Sequence, residues 1–361
     1  MMAECFRLAE KGAGNVSPNP LVGAVLARGD RILAQGYHRK FGGPHAEVDC
    51  LRSFGGNRRG ATLYVNLEPC SYYGKTPPCT DLIIRSGVRN VVVGMKDPNP
   101  LVAGRGIRKL RRAGIAVRVG VLGREARELN RKFVKHITTG MPYVHVKIAQ
   151  TMDGKIAPIG RRNHWITDKV ARTHVHRWRA EYDAVLVGCG TVLADNPSLT
   201  VRLVKGRNPD VVVLDGRLRA PISARLFSHL RGRRVILCVD RNVASRYRPK
   251  VRKLQAKGVT LLQVSGRNGV LPLHRVLRGL SWLNIGSVLV EGGAQVFQQF
   301  VQLRLFDELS VFAAPSIMGD GIPAFRPWNQ AQPTSRGSFG LQGLTARQIG
   351  GNVLLHAYKG R

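Results

Sequence analysis

Hydrophobic and polar positions along the chain switch repeatedly between two periods. "AECFRLAEKG" has the spacing of an amphipathic helix, and "LVGAVLAR" and "ILAQGYH" follow as short apolar runs with glycine breaks, which predict paired strands. "PHAEVDCLRSF" returns to helical spacing, with Pro44 expected in the first turn, where a missing N–H costs nothing. "ATLYVNLEP" and "RNVVVGM" are rich in β-branched residues and predict strands, and "PPCTDLIIRSG" between them predicts a helix stopped by Gly87. "GIRKLRRAG" and "IAVRVGV" complete an alternation that predicts a sheet with helices on both faces.

Residues 124 to 140, "REARELNRKFVKHITTG", have the length and periodicity of one connecting helix ended by Gly140 and Pro142. The alternation then restarts in "PYVHVKIAQT", "TDKVARTHVHRWRAEYD", "AVLVG", "DVVVLD", "RRVILCVD", "VTLLQVS" and "SVLVEGGAQVFQQFV", and the tail "SFGLQGLTARQIGGNVLLHAYK" predicts a hairpin closing a second sheet. Two α/β domains are expected, over residues 1–141 and 142–361, a division that also suits the length of 361 residues.

Composition narrows the class. An apolar fraction of 43% marks a folded chain, no apolar run reaches membrane-spanning length, and Glu4, Arg7, Glu10 and Lys11 interrupt the stretch a secretory signal needs, so a cytoplasmic protein is expected. The six cysteines lack the dense spacing of a disulfide framework and read as thiols or metal ligands. Lys and Arg number 57 against 22 acidic residues, a formal charge of +35, but the basic residues are spread along the chain; we expect no dedicated nucleic-acid partner. A homo-oligomer is compatible with all of this.

The chemistry concentrates first in "GPHAEVDCL" and "LEPCSYYGKTPPCT". His45, Cys70 and Cys79 offer one imidazole and two thiolates, a set suited to Zn²⁺ with an open fourth position, where water loses its proton near pH 7. His45 and Cys79 fall at expected helix starts. Glu47 stands two residues from the histidine, positioned to take a proton from the attacking water and pass it to a leaving amine, the logic of zinc deaminases. Taken alone, His-x-Glu is common, and cysteines with eight residues between them do not form a tight C-x-x-C pair. The second half lacks a G-x-G-x-x-G after a strand, which weakens a Rossmann reading. It does have an apolar strand running into Gly292 and Gly293 before a helix, where a phosphate can approach free N–H groups, and a polar stretch, "CGTVLADNPSLTVR", expected as a loop between strands.

"SPNPLVGAVL", "HAEVDCL", "LYVNLEPCSYYGKTPPCT" and "DPNPLVAGRG" closely resemble the deaminase half of the bifunctional riboflavin-biosynthesis deaminase/reductase family, and "VKIAQTMDGKIA", "NHWIT", "GTVLADNPSLTVR" and "VEGGA" resemble its reductase half. The resemblance implies a cytidine-deaminase-like three-layer α/β/α domain followed by a dihydrofolate-reductase-like α/β domain, with Zn²⁺ and NADPH as cofactors and a phosphorylated pyrimidine as substrate. It implies zinc on His45, Cys70 and Cys79, proton transfer by Glu47, and substrate contacts from Asn19, Lys75, Asp97 and Asn99. In the second half it implies a cofactor lining of Ala149, Trp165, Thr191, Asp195, Gly292 and Gly293, and substrate contacts from Asn163, Arg179, Leu199, Arg202 and Glu291. Hydride transfer needs little acid–base equipment, and Lys147, Asp153 and Asp195 are candidates for supporting polar roles. Tyr72 and Tyr73 stand where many relatives carry histidines, and Asn163 where many carry serine. The competing readings are a zinc deaminase acting on nucleic acid and a nonenzymatic zinc and RNA-binding protein, in which Glu47 would be dispensable.

Overall fold

The computed structural model describes residues 1–74, 77–160, 165–228, 230, 232–326 and 339–360, and the chain divides into two units, Met1–Met141 and Pro142–Arg361. In the first, α1 (Met2–Glu10) leads into β1 (Gly23–Arg28) and β2 (Arg31–Tyr37), followed by α2 (Ala46–Arg52), β3 (Thr62–Leu67), α3 (Cys79–Arg85), β4 (Asn90–Met95), α4 (Arg105–Arg112), β5 (Ala116–Val119), α5 (Gly123–Leu129) and α6 (Arg131–Thr139). The sheet order is β2-β1-β3-β4-β5, with β1 antiparallel to both neighbours and β3, β4 and β5 parallel. Period-two alternation assigns the layers. Ala24 and Leu26 of β1 pack with Ala46, Cys50 and Leu51 of α2, Ile83 of α3 and Leu110 of α4, whereas Val25 and Ala27 pack with Met2, Cys5 and Leu8 of α1. Helices therefore cover both faces.

In the second unit, β6 (Tyr143–Thr151) and β7 (Lys155–Pro158) precede α7 (Lys169–Glu181), β8 (Ala184–Gly188), α8 (Cys189–Asp195), β9 (Asp210–Leu214), β10 (Val235–Asp240), α9 (Arg241–Arg246), α10 (Arg248–Ala256), β11 (Thr260–Val264), α11 (Leu273–Trp282), β12 (Ser287–Gly292), α12 (Ala294–Gln302), β13 (Glu308–Ala314), β14 (Gly321–Pro323), β15 (Leu341–Ile349) and β16 (Asn352–Lys359). The main sheet has the order β11-β10-β9-β8-β12-β6-β13-β16-β15. It is parallel from β11 through β13, and the β15–β16 hairpin adds the antiparallel edge that the tail pattern predicts. β8 and β10 are buried at every position, as strands covered on both faces must be.

Three expectations are corrected. Pro44 lies before α2 and not in its first turn: its carbonyl accepts from His38 Nδ1 at 2.9 Å, and His45 is the extended N-cap at φ −72, ψ 161. The single connecting helix is two, α5 and α6, broken at Asn130, whose φ of −98 and ψ of 18 leave the helical region. The break frees the Asn130 amide to bind Leu21: Oδ1 accepts from the Leu21 N–H at 2.7 Å and Nδ2 donates to its carbonyl at 2.9 Å. The expected loop "CGTVLADNPSLTVR" begins as α8, because Cys189 and Val192, three residues apart, are both buried and give the segment an apolar helical stripe.

Candidate active sites

The N-cap of α2 and the first residue of α3 bring His45 and Cys79 together, with His45 Nδ1 3.3 Å from Cys79 Sγ and 3.6 Å from Cys70 Sγ. The ligand atoms of His45, Cys70 and Cys79 all lie within 4.8 Å of one another. The Cys79 N–H donates to Cys70 Sγ at 3.3 Å and the Thr80 N–H to the Cys70 carbonyl at 3.1 Å, so the two cysteine segments are tied by backbone as well as sulfur. The Cys70 thiol is pulled down to about 4, first by the Cys79 thiol donating to it and then by His45 and the Cys79 N–H, against the cost of burial. Cys79 holds the shared proton and is pushed up. Two soft sulfurs, one of them readily ionised, and a neighbouring imidazole fit a zinc ion on donor chemistry.

Glu47 is 3% exposed, and its carboxyl is pushed up to about 7 by burial and then by the charge of Cys70. It faces the same cluster, with the Cys79 thiol and the Cys70 sulfur among the groups that set its protonation. A buried carboxyl that changes protonation near neutrality beside a metal-binding donor set is equipped to move a proton.

Around these groups stand residues that the sequence reading passed over. Asn19 Nδ2 donates to His38 Nε2 at 3.1 Å, and His38 Nδ1–H donates to the Pro44 carbonyl, which fixes the neutral tautomer of that ring. His38 in turn meets His45 edge to face, with centroids 5.5 Å apart. Asn66 takes the Gly23 N–H on Oδ1 at 2.8 Å and gives Nδ2 to the Leu21 carbonyl at 2.9 Å, so Asn66 and Asn130 together anchor the loop that carries Asn19. Glu68, inside the quoted "LEPC", accepts from the N–H groups of Asp97, Gly104 and Ile107 at 3.1, 2.9 and 3.2 Å. It thereby ties the end of β3 to the segment bearing Asp97 and Asn99. Within that segment Asp97 Oδ1 accepts from the Asn99 N–H at 2.8 Å and Asn99 Oδ1 from the Leu101 N–H at 3.1 Å, two successive Asx turns. Burial pushes the Asp97 carboxyl up. Gly106 is required where α4 runs against the Pro69 carbonyl, since a Cβ there would collide with backbone. Lys75 lies outside the described residues.

Glu68→Gln is expected to destabilise the first unit by about 1.5–3 kcal/mol, because an amide NH2 must then face at least one N–H donor that the carboxyl accepted from. Hydrogen exchange of residues 97–107 reads it directly; protection equal to the wild type would refute the anchoring role.

In the second unit the main electrostatic feature is a buried ion pair. Arg179 Nε and Nη2 meet Glu291 Oε1 and Oε2 at 2.6 and 2.7 Å, with the side chains 12% and 6% exposed. Burial pushes the Glu291 carboxyl up, but Arg179, through charge and hydrogen bonds, and then Lys147 and His176 outweigh it, and the carboxyl lies below its usual range. Burial pushes Lys147 down against the pull of Glu291. His176 is pulled down to about 4 by burial, Arg179 and Arg202. Its neutral ring accepts the Arg202 N–H on Nδ1 at 3.0 Å. Leu199 is buried at a left-handed φ of 52, one residue before Thr200, whose carbonyl accepts from Arg179 Nη1 at 3.2 Å. Arg179, Glu291, Leu199 and Arg202 thus belong to one connected assembly.

Thr191 of α8 meets the turn between β12 and α12: a Cβ on Gly292 would stand 2.9 Å from its Oγ1 and one on Gly293 3.4 Å from it. Gly293 has φ 91, a conformation that favours glycine. The result is a bare backbone cradle at a helix start, which fits the phosphates of a dinucleotide. Asp195 lies one helical turn beyond Thr191, exposed at the end of α8. Ala149 lies on β6 against the cluster of Ala171, Val175, Phe312 and Leu354, and Trp165 is 63% exposed with the Arg172 guanidinium 4.5 Å from its ring centroid. Asp153 is a turn anchor, accepting from the Met318 and Gly319 N–H groups at 3.1 and 2.8 Å. Asn163 lies outside the described residues.

Each unit matches a known protein family. Residues 1–95 match the family model of the cytidine and deoxycytidylate deaminase zinc-binding region, and residues 142–355 match that of the RibD C-terminal domain. The chain is 46% identical to the riboflavin biosynthesis protein RibD of Aquifex aeolicus over 322 residues, covering 89% of this chain and 88% of the relative. It is 40% identical to RibD of Bacillus amyloliquefaciens over 357 residues, covering 99% and 95%. Among solved structures, a Thermotoga maritima protein described as a diaminohydroxyphosphoribosylaminopyrimidine deaminase/5-amino-6-(5-phosphoribosylamino)uracil reductase superposes with a TM-score of 0.84 at 41% identity, covering 99% of this chain and 97% of the other.

Proposed function

The chain belongs to the RibD family of bifunctional riboflavin-biosynthesis enzymes, and from that premise we propose how its two units divide the work. The first hydrolyses the 2-amino group of 2,5-diamino-6-ribosylamino-4(3H)-pyrimidinone 5′-phosphate, releasing ammonia. The second reduces the ribosyl side chain of the deaminated product to ribityl at the expense of NADPH. The observation that carries the reading is the convergence of His45, Cys70 and Cys79 with the buried Glu47 carboxyl against them.

In the first unit His45, Cys70 and Cys79 hold zinc, which when bound supplies a lowered pKa for water. Glu47 accepts the proton of the attacking water and delivers it to the departing amine, and its burial keeps bulk water from competing for that proton. The amide of Asn19 is held by His38 so that one face of the amide remains for the pyrimidine, while Lys75, Asp97 and Asn99 stand around the ribosyl phosphate, with the lysine offsetting its charge. In the second unit the Gly292–Gly293 cradle, Thr191, Ala149, Trp165 and Asp195 line the NADPH site, and NADPH when bound supplies the hydride. Arg179 and Glu291, with Asn163, Leu199 and Arg202, orient the sugar phosphate, and the excess of cations here offsets phosphate charge.

No helix among the described residues is long and apolar enough to cross a membrane. The six cysteines form no disulfide, which fits the reducing cytoplasm we propose as the setting. A nucleic-acid-directed deaminase would leave the second unit unexplained, whereas relatives match this chain over nearly its full length. The test is one assay: zinc-replete protein supplied with the diaminopyrimidine phosphate and NADPH should release ammonia and oxidise NADPH in sequence, and absence of both would overturn the reading.

A further inference from the structure

We infer that Arg233, two residues before β10, is a positioning residue for the reductase substrate, acting through the backbone of residues 198–202. The inference rests on the assignment of Leu199 and Arg202 to the substrate side of that site.

Arg233 is 7% exposed, and an arginine is seldom buried without a specific use for its donors. Its Nη2 donates to the Ser198 carbonyl at 2.6 Å and its Nη1 to the Leu199 carbonyl at 3.0 Å. The next groups along the chain are held from other elements. The Thr200 carbonyl accepts from Arg179 on α7, the Val201 N–H donates to Asn208 Oδ1 at 2.7 Å, and the Arg202 N–H donates to His176 on α7. Each residue of a short irregular segment is therefore fixed by a side chain, and the segment is formed before any substrate arrives.

Leu199 explains why a charged fork is used at this point. Its φ of 52 is one that a leucine rarely adopts, so the turn persists only where its surroundings hold it. A guanidinium presents two parallel donors in a fixed plane to two successive carbonyls, and charge-assisted bonds of this kind are stronger than neutral ones. Releasing that clamp lets Leu199 relax toward an ordinary conformation, and the first thing displaced is the segment that leads to Arg202. The clamp approaches from the turn before β10, whereas Arg179 and His176 approach from α7 and belong to the ion-pair assembly itself. Arg233 can therefore be altered while the ion pair is left in place.

Steady-state kinetics of the full-length enzyme, with the deaminated ribosylaminouracil phosphate and NADPH, test this. Arg233→Ala should raise KM for the pyrimidine phosphate by about tenfold or more, with kcat and KM for NADPH changed by less than about threefold. Arg233→Lys, which keeps the charge and loses the fork, should fall between. Arg234→Ala, which removes a neighbouring cation bound to Asp210 at 2.8 Å, should leave KM at the wild-type value. NADPH binding followed by fluorescence shows that each variant is folded. Two outcomes overturn the inference alone: Arg233→Ala at wild-type KM while Arg202→Ala raises it, or Arg233→Ala weakening NADPH and pyrimidine equally, the mark of a general structural role. If Arg202→Ala also leaves KM unchanged, the substrate-site reading fails with it.

Discussion

Glu47→Gln is expected to lower ammonia release by about a thousandfold, the middle of the range for removing a positioned acid–base group, while leaving reduction of pre-deaminated substrate intact. Glutamine keeps the size and a hydrogen-bonding oxygen of the carboxyl, so His45, Cys70 and Cys79 need not move, but it cannot carry a proton at neutral pH. The direction follows from the site: burial and the Cys70 charge bring the Glu47 carboxyl up to about 7, into the range where a group both accepts and releases a proton. A divalent cation on the donor set adds attraction for the ionised form and brings that value down, which favours the proton-accepting state at the start of the reaction. Three readouts belong together: ammonia release, NADPH oxidation with the deaminated compound, and metal content by elemental analysis. Lost ammonia release with metal and reductase activity retained is the expected pattern. Deamination within tenfold of wild type would mean that another group moves the proton, and loss of metal as well would make Glu47 a structural partner of the ligands.

Much of this site was legible because its chemistry sits in short local patterns. His45 and Cys79 begin helices, where the sequence places them, and the alternation of strands and helices follows from local periodicity. What local pattern could not show are the contacts made at long range. Asn130 reads as one more residue in a continuous helix, and only the Leu21 backbone, 109 positions away, shows why the helix breaks there. Glu68 lies inside a quoted motif, yet its partners are three backbone N–H groups in the loop before α4 and in its first turn, 29 to 39 positions away. The start of α8 is hidden for a different reason: the polar composition of the stretch outweighs a stripe of only two buried residues, and packing against the core overrides the local preference. In the second unit the resemblance named Arg179 and Glu291 separately; that they form one ion pair is a fact of the fold, since 112 residues separate them.

That ion pair predicts the second large effect. Arg179→Met should destabilise the second unit by about 3–5 kcal/mol, because it strands the Glu291 carboxylate in a site from which water is largely excluded. All four tryptophans lie beyond residue 142, so denaturant unfolding followed by tryptophan fluorescence reports on this unit without interference from the first. Reductase activity should fall with the same substitution even in buffers where the unit remains folded, while ammonia release persists. The double variant Arg179→Met with Glu291→Leu separates the two effects. Replacing both charges with apolar groups of similar size removes the stranded carboxylate, and exchanges of that kind are often neutral or stabilising. Stability should therefore return toward wild type while reduction stays lost, which would show that the pair serves the substrate and not the fold. Recovery of activity together with stability would instead make the pair a packing element, and the sugar phosphate would have to be oriented by Lys147, His176 and Arg202 without it.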